Sequence, residues 1–291
     1  MIEKSIFIGY FKYWFLILAI LQLFIVAACD EPQTTSPKLL FSSGFEDGVY
    51  IGKTVWDYQY IEGTDSKTGF SWPISVLGAS ESALHCIDSD NGKAVRAKIE
   101  TVIGHNGKLT KALFSIEQYG YDATQCPYEI LNITEGKRDL YIRFWIKLDK
   151  ESLHQENIWR TFFEWKTVDY AKGTGFRLIS FIYTDDDAKP YWVWQGDANP
   201  EHPIWEIENR KIPVPENEWF LTEFYWHWSE GDDGRALWKI NGKVIADHYG
   251  PTTRNSKAID FIMIAQIYGD ANPKYQWVDD IEIWDAIPEN K

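Results

Sequence analysis

Fifteen tryptophans in a chain of 291 residues invite the first chemical reading. An indole offers a flat apolar face to the C–H face of a pyranose and an N–H to one of its hydroxyls, although most indoles in any fold fill the core. Rings that share a strand face with charged side chains are costly as core and sensible in a groove. Trp145 meets that condition, since it alternates with Arg143 and Lys147, and Trp192 and Trp194 are further candidates for a glycan-binding surface. His227, between Trp226 and Trp228, falls on the face of Tyr225 and Glu223, either in a groove or at the edge of the core. By strand alternation Arg160, Glu164 and Lys166 share one face, and Gln266 and Tyr268 share another. These five read either as proton-transfer and charge-neutralising groups or as an exposed charged strip.

The elements that must position these residues are strands. From Leu39 onward, period-two stretches recur between clusters of Gly, Asp, Asn and Pro, and no helix-period segment of useful length appears. Ile142, Phe144, Ile146 and Leu148 alternate with Tyr141, Arg143, Trp145 and Lys147. Further strands are expected over 159–168, 176–184, 191–195, 219–228, 235–240, 243–247, 261–268 and 277–284. Asn241-Gly242 marks a tight hairpin between two of them. No period of 20–50 residues repeats, which argues against propellers and solenoids. Many antiparallel strands in one domain imply an all-β, two-sheet sandwich or a closed barrel. Gly44–Gly48 and Val278–Trp284 read as opening and closing strands lying side by side.

The N-terminal residues read differently. Lys4 and Lys12 precede an apolar run from Tyr13 to Ala28, about 16 residues long and shorter than the roughly 20 of a spanning helix. It ends in Val26-Ala27-Ala28-Cys29, which resembles the lipobox of bacterial lipoproteins. Residues 1–28 are therefore expected to be a signal peptide, Cys29 the lipidated residue, 29–38 a lipidated tether rich in polar residues and proline, and 39–291 the folded domain. The expected location is the bacterial cell envelope, with membrane contact through the lipid anchor only. A net charge of −14 argues against nucleic-acid partners, whose binding proteins carry basic patches. Nothing in the sequence signals oligomerisation, so a monomer is expected. Cys86 and Cys126 could form a disulfide in an exported compartment or could be two unrelated buried thiols. No CxxC or HExxH element indicates zinc. No strand carries the carboxylate spacing of a retaining glucanase.

The stretch from Trp219 to Thr252 contains Glu-Trp-Phe-Leu, Trp-His-Trp-Ser-Glu-Gly-Asp-Asp-Gly-Arg-Ala-Leu-Trp, Ile-Asn-Gly-Lys-Val-Ile and Tyr-Gly-Pro-Thr. It resembles the heparin-lyase-I-like group of polysaccharide lyases, with a fainter likeness over Leu140–Lys166 and Phe261–Asp280. The resemblance implies a concanavalin A-like jelly-roll sandwich and β-elimination on a uronic-acid polysaccharide. That reaction neutralises the carboxylate, takes the C5 proton and protonates the departing O4. A Gln-Trp-His segment supplies one base in that group; here it reads Glu164-Trp165-Lys166. A strand ending Lys-x-Gly-x-Tyr reads Ile264-Ala265-Gln266-Ile267-Tyr268, keeping the tyrosine and losing the lysine. An Arg-x-Glu strand would fall near Lys111-Ala112-Leu113, without its glutamate. On this footing Lys166 or Tyr268 is the base, and Arg160 or Gln266 neutralises the carboxylate. Jelly-roll carbohydrate modules also hold structural calcium where first and last strands meet. Glu46, Asp47 and Asp280 are then candidate ligands, or solvated turn carboxylates. Three functions stay open: a lyase, a non-catalytic glycan-binding lipoprotein, and a structural envelope protein.

Overall fold

Alternation of apolar and polar residues gives each strand one buried face, and two such faces pack together. The computed structural model describes residues 36–53, 58–74, 82–85, 88–89, 93–94, 96–117, 130–133, 137–167, 170–198, 203–254, 259–271 and 273–289. The segment 1–28, Cys29, Cys86 and Cys126 lie outside the described residues. In chain order the strands are β1 (Leu39–Ser43), β2 (Val49–Ile51), β3 (Tyr58–Thr64), β4 (Ser71–Trp72), β5 (Ala83–His85), β6 (Asp88–Ser89), β7 (Lys93–Ala94), β8 (Arg96–Ile103), β9 (Leu109–Glu117) and β10 (Ile130–Ile133). They continue with β11 (Asp139–Leu148), β12 (Trp159–Thr167), β13 (Arg177–Thr184), β14 (Pro190–Asp197), β15 (Pro203–Asn209), β16 (Trp219–His227), β17 (Arg235–Ile240), β18 (Lys243–Tyr249), β19 (Ile259–Gly269) and β20 (Lys274–Trp284). Among the described residues the only helical turns are short 3-10 segments.

The strands form an eight-stranded sheet, β18-β17-β16-β11-β20-β9-β8 with β1 on β20, and a ten-stranded sheet, β15-β14-β13-β12-β19-β10-β5-β3-β2 with β4 on β3. Every strand pairing among the described residues is antiparallel, as the jelly-roll expectation requires. The opening strand β1 lies along the closing strand β20, with Ser43 opposite Ile281. The hairpin between β17 and β18 turns on Asn241 and Gly242, both at positive φ, the backbone that this dipeptide accepts most readily.

Between the sheets lies one aromatic core. Phe163 of the ten-stranded sheet stacks on Phe224 of the other at 4.0 Å, and Trp165 meets Trp226 at 5.1 Å. Trp192 and Trp194, expected to line a glycan surface, belong to this core and are fully buried. Their N–H groups donate to the Ile212 and Ala236 carbonyls, at 2.9 and 3.3 Å. The alternation of β14 sends Tyr191, Val193 and Gln195 to the outer face, so the two indoles point inward among Phe162, Phe220 and Trp238.

A β-bulge in β12 changes which residues share a face. The register runs Thr161↔Phe181 and then Phe163↔Ser180, so two residues of β12 oppose one of β13. Phe162 and Phe163 both enter the core, and the parity flips between them. Arg160 therefore points inward, on the opposite side from Glu164 and Lys166. It is fully buried and ties the sheets together, donating to Asp149 Oδ2 at 2.7 Å, Ser152 Oγ at 3.1 Å and Gln276 Oε1 at 2.8 Å. The expected neutralising role of Arg160 is replaced by a structural one.

Candidate functional site

The outer face of the ten-stranded sheet can be built row by row from its register. One row holds Trp159, Tyr183 and Tyr191 on adjacent strands. The next holds Tyr268, Thr161, Phe181, Val193 and Glu208. The third brings Glu164, Ile179, Gln195 and Glu206 together, and the fourth pairs Lys166 with Arg177 and Asp197. Ile179, Phe181 and Val193 make a small apolar cluster of their own, with Trp159, Tyr183 and Tyr191 packed against it. These floor residues are separate from the main core. A depression of about 230 Å³ lies over this floor, lined by Trp159, Ile179, Phe181, Tyr183 and Tyr268, with Arg177 and Gln195.

One end of this face is ionic. Glu164 is buried and lies 2.5 Å from Lys166 Nζ, 3.8 Å from Arg177 Nη1 and 3.0 Å from Gln266 Nε2. Burial pushes its carboxyl up, but the charges of Lys166 and Arg177 outweigh burial and hold it below the ordinary carboxylate value. Arg177 donates to Asp197 Oδ2 through Nε and Nη2 at 3.1 and 2.9 Å, and Gln195 Nε2 donates to the same oxygen at 2.8 Å. Tyr170 OH donates to Asp197 Oδ1 at 2.7 Å. Burial works against the Arg177 charge, yet Glu164 and Asp197 hold its pKa above the usual guanidinium value. Two cations thus face two carboxylates in a pre-organised, internally balanced network. Gln266 also takes the Thr161 hydroxyl on its Oε1.

The other end is aromatic. Tyr268 meets Trp159 edge-on at 5.0 Å, Trp159 meets Phe181 at 5.8 Å, and Tyr183 stacks on Tyr191 at 5.9 Å. Arg210 closes the row, its guanidinium carbon 3.4 Å from the centre of the Tyr191 ring. Burial, with Glu206 second, pushes the Tyr183 phenol up to about 12.

The structure brings together three of the four expected catalytic residues, Lys166, Gln266 and Tyr268, on one face, and removes Arg160. Tyr268 pairs with Thr161 and Lys166 with Phe261. Their backbone positions are therefore separated by roughly 13–16 Å of strand at about 3.3 Å per residue, and of the two only Tyr268 lines the depression. Arg177 fills the place that sequence reasoning gave to Arg160. It alternates with Ile179 and Phe181 on β13, a signal visible in the sequence but masked there by the apolar run that surrounds it.

Arg143, Trp145, Lys147 and His227 lie on the outer face of the eight-stranded sheet, away from this site. Each is engaged locally: Arg143 forms a two-pronged ion pair with Glu282 at 3.0 and 2.6 Å, Trp145 stacks on His105 at 3.9 Å, and Lys147 lies 5.2 Å over Trp277. His227 Nδ1 is 2.8 Å from Asp139 Oδ1, and Tyr225 donates to the same oxygen.

The expected calcium ligands sit near the β1–β20 junction without converging. Asp47 is 84 % exposed and pairs with Lys111; Glu46 takes Lys67 and the Thr110 hydroxyl; Asp280 meets His105 Nε2 at 3.0 Å. Among the described residues no three His, Cys, Asp or Glu side chains are grouped to hold a metal ion. Those three carboxylates do not fit a calcium site as they stand. Behind them Asp279 is almost wholly buried, and burial, followed by the charge of Asp280, pushes its carboxyl up to about 7.

No protein-family model matches the chain, and no curated protein matches it. Among solved structures it is similar to an alginate lyase in complex with an alginate tetrasaccharide, at 11 % identity over 67 % of this chain and 85 % of the other, TM-score 0.48. It is also similar to an endo-β-1,4-glucuronan lyase from the fungus Trichoderma reesei, at 14 % identity over 67 % and 91 %, TM-score 0.45. A third similarity is to a cellulose-induced protein, Cip1, at 14 % identity over 84 % and 96 %, TM-score 0.49.

Proposed function

We propose that the protein binds a carbohydrate polymer across the outer face of the ten-stranded sheet. The observation that carries this reading is the depression lined by the rings of Trp159, Phe181, Tyr183 and Tyr268 together with the guanidinium of Arg177 and the amide of Gln195. Aromatic rings take the C–H face of a pyranose, and charge-assisted hydrogen bonds take its hydroxyls or carboxylate. The network around Arg177 is fixed before a ligand arrives, which limits the ordering cost of binding.

The test is retardation of the protein in gels containing dissolved polysaccharides. Trp159→Ala and Arg177→Gln each abolish retardation, while Trp159→Ala keeps the urea midpoint of the parent. Retardation that survives both substitutions refutes the reading.

A second reading adds β-elimination, and one observation favours it: Arg177 and Tyr268 line the same depression. Arg177 would neutralise a uronate carboxylate. Tyr268, as the phenolate, would take the C5 proton as the C4–O4 bond breaks and the C4=C5 double bond forms, and the phenol so formed would return that proton to the departing O4. A phenol of reference pKa about 10 needs the nearby guanidinium to act this way. Lys166 is tied to Glu164 at 2.5 Å, which leaves the role of base to Tyr268. Unsaturated product, followed by its ultraviolet absorbance and lost in Tyr268→Phe, separates the enzyme from the binder.

The same reading takes the chain as an exported lipoprotein of the bacterial envelope, anchored through Cys29. Metabolic labelling with a radioactive fatty acid tests it, and label retained by Cys29→Ser refutes it.

A further inference from the structure

The cations at the ionic end of the carbohydrate face are outnumbered, which bears on the polymer it accepts. In its two rows Lys166 and Arg177 stand against Glu164, Asp197 and Glu206, the last on β15 opposite Gln195. Lys166 Nζ is tied to Glu164. Arg177 commits Nε and Nη2 to Asp197 and holds Nη1 3.8 Å from Glu164 Oε2, an ion pair beyond hydrogen-bond reach. Glu206 forms no ion pair among the described residues, and burial, then the neighbouring Glu208, raises its pKa.

The hydrogen-bonding groups that remain at Arg177 and Gln195 are one of each kind. Asp197 Oδ2 accepts the Gln195 amide N–H at 2.8 Å, which fixes the amide and leaves its oxygen as an acceptor without a partner among the described residues. Nη1 of Arg177 is the matching donor, and both residues line the depression. A hydroxyl donates and accepts, so sugar hydroxyls satisfy such a pair. A carboxylate only accepts, and it would leave Gln195 Oε1 facing another acceptor.

Resting on the carbohydrate-binding reading, we propose that the ligand is a neutral polysaccharide, held at Arg177 and Gln195 through its hydroxyls, and not a polymer of uronic acid. A uronate brought to Nη1 would be a third carboxylate around one guanidinium, in a partly desolvated groove where like charges repel. Glu206, in the adjoining row, adds to that repulsion. The rings that line the same depression take the C–H face of the sugar whatever its charge. Such a ligand lacks the uronic acid on which β-elimination acts.

The experiment measures retardation of the full protein in gels carrying neutral polymers (glucomannan, xyloglucan, mixed-linkage β-glucan, xylan) or uronic ones (alginate, polygalacturonate, glucuronan). A neutral polymer is held most tightly, and its affinity changes by less than about twofold between about 20 and about 500 mM salt. Glu206→Gln raises retention by the uronic polymers about fivefold at the lower salt. Tightest retention by a uronic polymer, an affinity for the neutral polymer that falls severalfold with salt, or uronic retention unmoved by Glu206→Gln overturns this inference and leaves the carbohydrate reading in place. Retention by none of the polymers overturns both.

Discussion

Asp279 offers the most quantitative test of how this fold was put together. It is buried at the β1–β20 junction, its backbone neighbour Asp280 carries a second carboxylate, and its own carboxyl is pushed from 3.8 up to about 7. A folded-state value above the unfolded one means that the native protein holds the proton more tightly. Stability from this group is then complete below about pH 4 and is lost as pH rises through about 7. At 1.36 kcal/mol per unit the loss is at most about 4 kcal/mol. Asp279→Asn removes the titrating group while keeping an oxygen to accept the Asp280 backbone N–H, 2.7 Å away in the parent. The variant should match the parent near pH 4 and exceed it by up to about 4 kcal/mol at pH 8. Urea unfolding followed by tryptophan emission, at half-unit steps between those limits, measures the difference curve. A difference that stays flat from pH 4 to pH 8 refutes the reasoning, whatever the absolute stabilities.

Removing Arg160 strands the buried Asp149 carboxylate, so Arg160→Ala should lose about 3–5 kcal/mol in urea unfolding, and Arg160→Lys should recover part of it. Trp194→Ala opens a cavity between the sheets and should cost about 3–5 kcal/mol, read by the same unfolding curves. Trp159→Ala, on the outer face, should abolish polymer retention in affinity gels without moving the unfolding midpoint.

The strands were legible because their residues alternate. Tyr141–Leu148 and the Asn241-Gly242 hairpin follow from period-two patterning and turn chemistry, whereas Gly44–Gly48, expected as the opening strand, is loop and turn, and the strand that lies along the last one is Leu39–Ser43. The faces were less legible, for two physical reasons. A bulge adds one residue to β12, and a strict alternation read through Phe162 and Phe163 places Arg160 on the wrong side of the sheet. The pattern around it, Trp159-Arg160-Thr161-Phe162-Phe163-Glu164, contains two adjacent phenylalanines, which is the only local sign of the slip. Trp192 and Trp194 were misassigned because alternation states which residues share a face but not which face turns inward. That choice is made by Phe220 and Trp238 across the gap, residues remote in sequence. A second bulge, with Ala265 at positive φ, sets one residue of β12, Phe162, against three of β19, Ala265, Gln266 and Ile267, between Tyr268 and Ile264. It leaves Gln266 and Tyr268 on the outer face as alternation foretold, with Gln266 sharing Glu164 with Lys166.

These slips explain why the two sheets have such different outer faces. On the eight-stranded sheet the exposed rings are capped by the chain itself: His105 covers Trp145, Lys147 covers Trp277 and Lys98 lies over Phe114 at 5.1 Å. On the ten-stranded sheet Trp159, Phe181 and Tyr268 instead border a depression, and the nearest cations are drawn aside by Glu164 and Asp197. An indole already covered by a lysine must shed that contact before it can stack on a sugar; one standing beside an open floor need not. The same composition of aromatic and charged residues on the two faces therefore has unequal capacity to bind. The difference lies in which rings the chain covers: Trp145, Trp277 and Phe114 on one sheet, and on the other Tyr170 and Tyr191, under Arg177 and Arg210, while Trp159, Phe181 and Tyr268 border the depression.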